Sequence, residues 1–394
     1  MIKKLELTVQ MLSPLWAAGA AGKCDRLHET GIIGSLRWWY EAIVRGLDGC
    51  YACDPASESR CELSGKEKSD EERRAKLCPA CRLFGCGGWK RRFRLVAGAG
   101  STEPFTLASL FYKNKSNEDE FNRWWLNEIF ESNLADRLAF GKVTLTFIFP
   151  AGTDGEESLN QIKALLSVMA HCGSIGAKGQ YGFGQFAWEG KTKLETALKD
   201  IQSFILGRQF KESKNENDWY SLEKFWYINI PLMDDNAQIK RFEKARLEQE
   251  KSIGPTTGKL YLPVSFDIRY KLKGGGKWSG LRQAYYQKQF EETNNDKKQT
   301  EKKTRLIFGG QWHEGSDQHR QGSRVFVSHP YKHGPGDENY KLRVWGFTDE
   351  SVAEVVKKEL QNIFGLNDTP EYTTGLSLIA KLQQKNREGY EHEV

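Results

Sequence analysis

The first half of the chain alternates between strand-like and helical patterns. Residues 142–149 (KVTLTFIF) alternate apolar and polar side chains as a half-buried strand does, whereas residues 156–171 place Leu159, Ile162 and Leu165 on one helical face. The predicted elements are strand 5–12, helix 35–47, strand 93–97, strand 142–149, helix 156–171 and strand 183–188. Their order is β-α-β-β-α-β.

A similar order begins again after the polar stretch 211–218 (KESKNEND), which has the composition of a linker. The elements predicted there are strand 224–232, helix 279–290, strands 322–328 and 341–347, and helix 351–364. For a final strand the candidates are 261–270, displaced within the order, and the short segment 376–380. We therefore predict an α+β protein with two tandem ferredoxin-like domains, residues 1–210 and 219–394.

The composition agrees with two globular domains and limits where the protein is expected in the cell. The chain has 394 residues, of which 39% are hydrophobic, enough for a core in each half. No apolar run reaches the ~18 residues of a membrane span, and the first residues lack the apolar region of a signal peptide, so we predict a cytoplasmic protein without membrane contact. A formal net charge of +6 is modest for this length and only weakly indicates an anionic partner.

The segment 173–184 reads GSIGAKGQYGFG, with five glycines between a predicted helix and a predicted strand; we call it the glycine loop. Glycine permits positive φ angles and close approach to a ligand, while Lys178 and Tyr181 add a charge and a stacking surface. Because the loop leads from a helix into a strand, it is not a dinucleotide fingerprint. Its chemistry suits a polymer of phosphates and bases.

Between Cys81 and Ala97 the chain carries five positive residues and no acidic one, with Phe84, Trp89 and Phe93 interleaved. The positive residues are Arg82, Lys90, Arg91, Arg92 and Arg94. Such a mixture suits phosphates and unstacked bases. The alternative is that the arginine stems cover apolar surface and the rings join the core.

Six of the eight cysteines lie within residues 50–86: Cys50, Cys53, Cys61, Cys78, Cys81 and Cys86. Two pairs have the two-residue spacing with which one turn presents two thiolates to a tetrahedral zinc, so we predict a structural zinc in a cysteine-rich insertion, residues 48–88. The spacing leaves the four ligands open, and disulfides or free thiols are the alternatives. A catalytic zinc is disfavoured because no histidine lies in the cluster.

Three segments together resemble the RAMP superfamily: residues 34–42 (GSLRWWYEA), residues 78–89 (CPACRLFGCGGW) with their basic continuation, and the glycine loop. The resemblance is greatest to the first-subunit family of Cmr complexes, the type III-B CRISPR effectors that target RNA. It covers roughly residues 1–190. In the second half it depends on the weaker segments 308–309 (FG) and 320–325 (RQGSRV).

The resemblance implies a non-catalytic subunit that binds guide RNA near its 3′ portion, helps to capture single-stranded target RNA and assembles with other Cmr subunits in antiviral defence. The glycine-loop residues it places at the RNA backbone are Gly176, Lys178, Gly179, Tyr181 and Gly182. Further candidates for the same groove are Arg37, Trp38, Lys90, Arg91, Arg92, Arg94, Lys277, Arg282, Arg305, Arg320 and Arg324. For zinc it favours Cys53, Cys61, Cys78 and Cys81, with Cys50 and Cys86 as substitutes.

Two other functions fit parts of the same sequence. A metal-independent RNA-cleaving RAMP protein that matures the guide would use His28 as general base and Lys178 to stabilise the charged transition state. A protein-interaction subunit would instead pack its aromatic side chains on neighbours. We expect no enzymatic activity, because the glycine loop contains no histidine and no second acid is evident.

Overall fold

The computed structural model of the chain describes residues 2–47, 52–54, 60–99, 105–106, 136–151, 153–206, 220–244, 260–270, 280–314 and 317–391. The predicted linker, Cys50 and Lys277 lie outside these residues. No helix within the described part of the chain is both long and apolar enough to cross a membrane.

An antiparallel sheet forms the N-terminal half, in the strand order β2-β4-β1-β5, with β3 paired to β4. Strands β1 and β4 pair along most of their length, with Leu7 opposite Leu145 and Val9 opposite Val143, and all four side chains are buried. The elements of this half are β1 (Lys3–Leu15), α1 (Glu29–Val44), α2 (Asp70–Ala75), α3 (Pro79–Phe84), β2 (Arg94–Ala99), β3 (Phe105–Thr106), β4 (Arg137–Phe149), α4 (Thr153–Cys172), β5 (Phe186–Ala187) and α5 (Leu194–Ile205).

The C-terminal half contains a second antiparallel sheet, in the order β11-β6-β10-β9, and the hairpin β7-β8. Its elements are β6 (Phe225–Met233), α6 (Ser265–Tyr270), α7 (Leu281–Glu292), α8 (Lys297–Phe308), β7 (Gly310–Glu314), β8 (Asp317–Gln321), β9 (Val325–Val327), β10 (Asn339–Phe347), α9 (Glu350–Phe364), β11 (Thr373–Thr374) and α10 (Gly375–Glu391). The described residues 237–244 are also helical.

The two faces of this second sheet have different partners because strand side chains alternate. Ile228 and Val344 point into the core of the C-terminal half, whereas Phe225, Trp345 and Phe347 belong to the core of the N-terminal half. Leu378 and Leu382 of α10 join that N-terminal core as well. The two halves are therefore packed through one continuous apolar contact.

Most of the strands and helices predicted from periodicity are present, but both candidates for the final strand are wrong. Residues 265–270 form helix α6 and residues 376–380 lie in helix α10, while the last strand is the two-residue β11. In 376–380 the leucine spacing is ambiguous over so short a segment, and Leu378 and Leu382, four residues apart, share one buried helical face.

Candidate functional site

A cleft of about 240 Å³ opens where the glycine loop meets the second half of the chain; we call it the inter-domain cleft. From the N-terminal half it is lined by side chains of α1 and by the glycine loop. The residues lining it are Ser35, Trp38, Trp39, Ser174, Gly176, Lys178, Gly179, Gln180, Tyr220, Gly322, Ser323, Phe326 and Trp345. Five of these side chains are aromatic and one is a cation.

Trp38 lies at the centre of the aromatic side chains that join the two halves. Its ring centroid is 4.8 Å from that of Tyr220 and 6.1 Å from that of Phe326, both in edge-to-face geometry. Phe326 in turn stacks on Trp345 at 5.3 Å with an interplanar angle of 7°. Trp39, the next residue along α1, is buried in the core. The cleft is thus lined by the partly exposed rings of Trp38, Tyr220 and Phe326.

The glycine loop is held by backbone hydrogen bonds to the end of β1 and to its own return. Ala177 N–H donates to the carbonyl oxygen of Trp16 (2.8 Å), and Gly184 N–H donates to that of Pro14 (2.9 Å). At Gly176, with φ +83°, a Cβ would lie 2.5 Å from the carbonyl oxygen of Trp16. At Gly182, with φ +88°, it would meet Ser265 and His329. Internal packing therefore accounts for both glycines, and of the two only Gly176 lines the cleft.

Tyr181 is placed differently from the prediction. Its ring stacks on Phe266 at 5.8 Å and lies 5.6 Å from the guanidinium of Arg269, and it is not among the residues that line the cleft. The stacking surface predicted for a base is thus occupied by a neighbour in the same chain. The aromatic groups of the cleft come instead from α1, Tyr220 and the second sheet.

Lys178 brings a positive charge to the cleft from a left-handed backbone conformation, φ 63° and ψ 24°. Its Nζ lies 5.6 Å from the ring centroid of Trp16 and 6.0 Å from that of Tyr181. Burial lowers the pKa of Lys178, and the nearby Asp136 carboxylate opposes this shift. A partly desolvated ammonium of this kind interacts more strongly with an anion than a fully hydrated one.

The basic residues Lys90, Arg91, Arg92 and Arg94 are described, and none of them lines the inter-domain cleft. In the sheet, Arg94 of β2 lies opposite Ile148 of β4, which in turn lies opposite Lys4 near the start of β1. The glycine loop contacts Trp16, just beyond the other end of β1. At about 3.3 Å per residue, the intervening strand separates them by roughly 30–40 Å. Among the described residues, the glycine loop and this basic segment therefore lie at opposite ends of β1, and a groove that joins them stays a prediction.

Within the basic segment the arginines lie on aromatic rings, as the alternative interpretation expected. The guanidinium of Arg92 lies 4.2 Å from the ring centroid of Trp89, and that of Arg91 lies 5.2 Å from that of Phe93. Trp89 and Phe93 are buried, while Lys90, Arg91 and Arg94 remain exposed. The segment is a basic surface at the edge strand β2.

The predicted arginines of the second half are spread over several elements. Arg324 precedes β9 and lies near Tyr220. Arg320 lies on β8, where its Nε donates to Gln311 Oε1 (3.4 Å), and Arg305 Nη2 donates to Glu301 Oε2 (3.1 Å) on α8. Arg282 covers the ring of Tyr270 at 4.7 Å. Of these four, Arg324 is the one placed against a cleft residue.

The sulfur atoms of Cys53, Cys61, Cys78 and Cys81 converge, all within 4.8 Å of one another, and all four residues are buried. Cys78 precedes helix α3, and its sulfur accepts the Cys81 N–H (3.4 Å), so the helix start presents both sulfurs together. The sulfurs of Cys53 and Cys81 are 3.4 Å apart, much longer than the ~2.05 Å of a disulfide. Cys86 is half-buried and outside this group.

The four residues fit a tetrahedral zinc. Zinc bound by four sulfurs at about 2.3 Å holds them roughly 3.8 Å apart, close to the 3.4 Å and 3.8 Å separations of Cys53 from Cys81 and from Cys78. Hydrogen bonds from the other three thiols lower the pKa of Cys53, and donating to Cys53 raises those of Cys61, Cys78 and Cys81. The cluster therefore favours one thiolate by itself, and a bound metal would favour four.

Arg37 lies beside this cysteine cluster. Its Nη2 donates to Cys81 Sγ (3.3 Å), its Nη1 to the carbonyl oxygen of Gly85 (2.8 Å), and its Nε to Glu41 Oε1 (2.7 Å). The side chain thus joins α1 to the segment after α3. Arg37 was predicted to face the RNA groove, but its three polar nitrogens are engaged inside the fold.

His28 lies at the start of α1, where its Nε2 is 2.6 Å from Asp25 Oδ1. The hydrogen bond from His28 lowers the pKa of Asp25. His28 does not line the inter-domain cleft. The two groups of the predicted cleavage mechanism, His28 and Lys178, are therefore not both in it.

The antiparallel α+β halves and the glycine loop agree with the comparison to known families. The family model of the RAMP superfamily matches residues 8–187, which confirms over that segment the resemblance predicted from the sequence. The match includes α1, the cysteine cluster and the whole glycine loop. No curated protein sequence matches the chain.

Solved structures with similarity to the chain include Cmr1 from Pyrococcus furiosus in its apo form, with 12% identity, a TM-score of 0.40, and coverage of 88% of this chain and 87% of that one. Two structures of a type III-B Cmr-beta complex also match. For the complex bound to cognate target RNA and AMPPnP in the presence of single-stranded DNA, identity is 13%, the TM-score 0.42, and coverage 91% and 99%. For the complex bound to cognate target RNA alone the values are 14%, 0.40, 92% and 99%.

Sequence reasoning missed the three cleft residues Tyr220, Phe326 and Trp345. Tyr220 follows the predicted linker, and the other two lie in predicted strands, where alternation alone assigns them to one face of a sheet. What could have identified Phe326 and Trp345 is that their neighbours Val325, Val327 and Val344, on the opposite face of the same strands, are also apolar. A strand with two apolar faces is expected to be covered on both sides.

Proposed function

We propose that this protein is a non-catalytic RNA-binding subunit of a type III-B CRISPR effector, and that single-stranded RNA contacts it at the inter-domain cleft. The observation that carries the proposal is the juxtaposition of Lys178 with the partly exposed aromatic side chains Trp38 and Phe326 beside the glycine loop. The RAMP superfamily match over the same loop supports it.

The chemistry of the cleft suits a single-stranded nucleic acid. Unstacked bases of any identity can stack on an accessible aromatic ring face, and Lys178 can pair with a phosphate without reading sequence. A volume of about 240 Å³ is below the roughly 300–1,000 Å³ of small-molecule sites, so it suits one base or a short stretch of backbone. Such contacts accept any guide sequence and leave discrimination to base pairing.

The polymer proposed here is guide RNA near its 3′ portion, with target RNA along the same face and other Cmr subunits at its sides. Arg324, against Tyr220, would extend the cleft, and the exposed Lys90, Arg91 and Arg94 would form a separate phosphate-binding surface. Because these surfaces are far apart along the sheet, one strand of RNA would reach both only by crossing the domain.

The non-catalytic assignment is supported by what the cleft contains. Among the described residues that line it there is no histidine and no carboxylate. General acid–base cleavage of RNA needs such groups within hydrogen-bond reach of the reacting oxygen. Lys178 alone supplies electrostatic stabilisation without a proton acceptor.

We further propose that Cys53, Cys61, Cys78 and Cys81 hold a structural zinc, which would neutralise their thiolates and link Cys53 and Cys61 to the start of α3. The support is the four-sulfur geometry and its burial. Each half is also proposed to be a ferredoxin-like unit, since numbering the sheet strands within each half gives the same order, 4-1-3-2.

The proposal is tested by fluorescence anisotropy with single-stranded RNA over a salt series. Lys178→Asn removes the charge and suits the left-handed backbone, and Lys199→Ala, on the exposed face of α5, is the matched control. We expect the slope of log K against log salt to fall by about 0.7 in K178N and to be unchanged in K199A. Equal slopes in all three proteins would overturn the cleft assignment.

The RNA is recovered after the binding measurement, in the presence of chelator, and examined by gel. Intact RNA is the result expected of a non-catalytic subunit. Cleavage that disappears in His28→Ala would instead establish the metal-independent nuclease.

A further inference from the structure

A second cavity, of about 280 Å³, lies at the contact between the two halves and has no role in the proposed RNA cleft. It is formed by the end of α4, the segment after β5, strands β6 and β10, and the segment that follows β9. Five basic side chains line it: His171, Lys191, His333, Lys341 and Arg343. We call it the basic cavity.

No carboxylate is among the residues that line the basic cavity, and none of the five basic side chains forms an ion pair in the part of the chain that the structure describes. The five groups therefore repel one another. Burial and the charges of Arg343 and Lys341 lower the pKa of Lys191, and burial and the charge of Lys341 lower that of His333.

Two carboxylates lie near the cavity and offset part of this charge. Asp337 Oδ2 accepts a hydrogen bond from the backbone N–H of His333 (2.7 Å). The negative charge of Glu195, on α5, raises the pKa of His171. Neither lines the cavity. Three permanent cations and two histidines face these two acids, so the cavity keeps a net positive charge.

Arg343 forms the buried part of this cavity, with 6% of its surface exposed. It donates to four neutral oxygens: Asn229 Oδ1 (3.1 Å), Gln185 Oε1 (3.2 Å) and the carbonyl oxygens of Gly173 and Ala170 (both 3.0 Å). A guanidinium has five N–H groups, so one is left over. A buried charge held by neutral acceptors alone favours the entry of an anion.

The rim of the cavity permits that entry. Lys191, His333 and Lys341 are exposed, whereas Arg343 and Tyr331 are buried behind them. Hydrogen-bond donors from both halves of the chain thus line the cavity, some at its exposed rim and one, Arg343, at its buried base. A tetrahedral anion with several acceptor oxygens can use more of them at once than a carboxylate, which has two oxygens.

We propose that the basic cavity binds a phosphate monoester or free phosphate, held between Arg343 at the base and Lys191 and Lys341 at the rim. The positive charge of the cavity attracts the anion, and binding it joins Lys191 of the N-terminal half to Lys341 of the C-terminal half. This site is independent of the RNA contact proposed for Lys178.

The test is titration of the full-length protein with inorganic phosphate by isothermal calorimetry in a chloride buffer. Lys191→Ala and Lys341→Ala are exposed changes that spare the buried Arg343, and Lys298→Ala on the exposed face of α8 is the matched control. We expect one phosphate per chain, with Kd raised about tenfold in each rim variant and unchanged in K298A, as for the loss of one charge-assisted hydrogen bond. No saturable binding up to millimolar phosphate, or equal affinity in all variants, would overturn the proposal.

The source of the phosphate is distinguished by a second comparison. A short RNA with a terminal phosphate is titrated beside the same RNA ending in a hydroxyl. Tighter binding of the phosphorylated RNA that is lost in K191A assigns the cavity to an RNA end, and equal binding with phosphate affinity retained assigns it to free phosphate or a nucleotide. Lys178→Asn leaves phosphate binding unchanged in either case, so failure of the RNA cleft and failure of this site give different results.

Discussion

The guanidinium of Arg343 donates a 3.0 Å hydrogen bond to the carbonyl oxygen of Gly173, the first residue of the glycine loop. Arg343 belongs to strand β10 of the C-terminal half and Gly173 follows helix α4 of the N-terminal half. The start of the loop is thus fixed by a side chain of the C-terminal half. The position of the inter-domain cleft depends on how the halves pack, and not on the loop alone.

Replacing this arginine is expected to destabilise the whole molecule. Arg343→Met leaves four buried acceptors without their donor, so we expect the free energy of unfolding to fall by about 2–4 kcal/mol. Urea unfolding followed by circular dichroism measures it. Lys341→Ala, two residues away and exposed, should change stability by no more than about 0.5 kcal/mol, and an equal loss in both variants would contradict the role given to Arg343.

Zinc content provides a direct test of the cysteine cluster. Mass spectrometry of the purified protein should find one zinc per chain, lost in Cys81→Ser and retained in Cys86→Ser, because Cys86 is outside the group of four sulfurs. Loss of the metal in both variants would mean that Cys86 is a ligand. Unchanged content in both would mean that the metal is bound elsewhere.

Arg37→Met separates the two roles considered for this residue. Because Arg37 donates to Cys81 Sγ, we expect about 10–100-fold weaker zinc affinity, measured by competition with a chromogenic chelator. The salt slope of RNA binding should remain that of the unaltered protein. A flatter slope with unchanged zinc affinity would restore the original prediction that Arg37 faces RNA.

Phe326→Ala tests the aromatic part of the cleft. Loss of one stacking surface should weaken binding of single-stranded RNA by about 1–3 kcal/mol, with the salt slope preserved because no charge is removed. Anisotropy titration measures both quantities. Tyr286→Ala, whose ring stacks on Phe290 of α7 at 6.0 Å, is the control and should bind RNA normally.

The pH dependence of stability should reveal His171. Burial lowers its pKa below 6.5, and the charges of Lys191 and Arg343 act in the same direction, while its hydrogen bond to the Thr192 carbonyl oxygen and the charge of Glu195 oppose them. The unfolded chain therefore binds this proton first as the pH falls, so its contribution is full above about pH 6.5 and is lost below it. Urea unfolding between pH 8 and 5 should show a shallower decline in His171→Gln, and identical profiles would contradict this assignment.

Periodicity was sufficient to predict the long, half-buried elements. Strands β1, β4, β6 and β10 and helices α4 and α9 lie where alternation or a helical face indicated them, because each buries one regular side of its sequence. Helix α8 was missed since its sequence, KKQTEKKTRLIF, is polar on nearly every side. Its few buried residues include Thr300 and Thr304, which no hydrophobic pattern identifies.

The site was predictable in composition but not in arrangement. The glycine loop, Lys178 and the four converging cysteines follow from local spacing and from the resemblance to RAMP proteins. The separation of Arg94 from the loop depends on the register between β1 and β4, and the cleft needs Phe326 and Trp345 from a distant part of the chain. Neither pairing leaves a local signal.

The position of helix α10 has a consequence for how the molecule can be made. Leu378 and Leu382, near the end of the sequence, complete a core whose other members begin at Leu7. During synthesis the first half of the chain emerges from the ribosome long before these leucines. Until they emerge, part of the apolar surface of that half is exposed to solvent. A fragment ending within residues 207–219 would have the same exposed surface permanently. The two halves are therefore best produced as one polypeptide, and a tag fused after α10 is safer with a spacer.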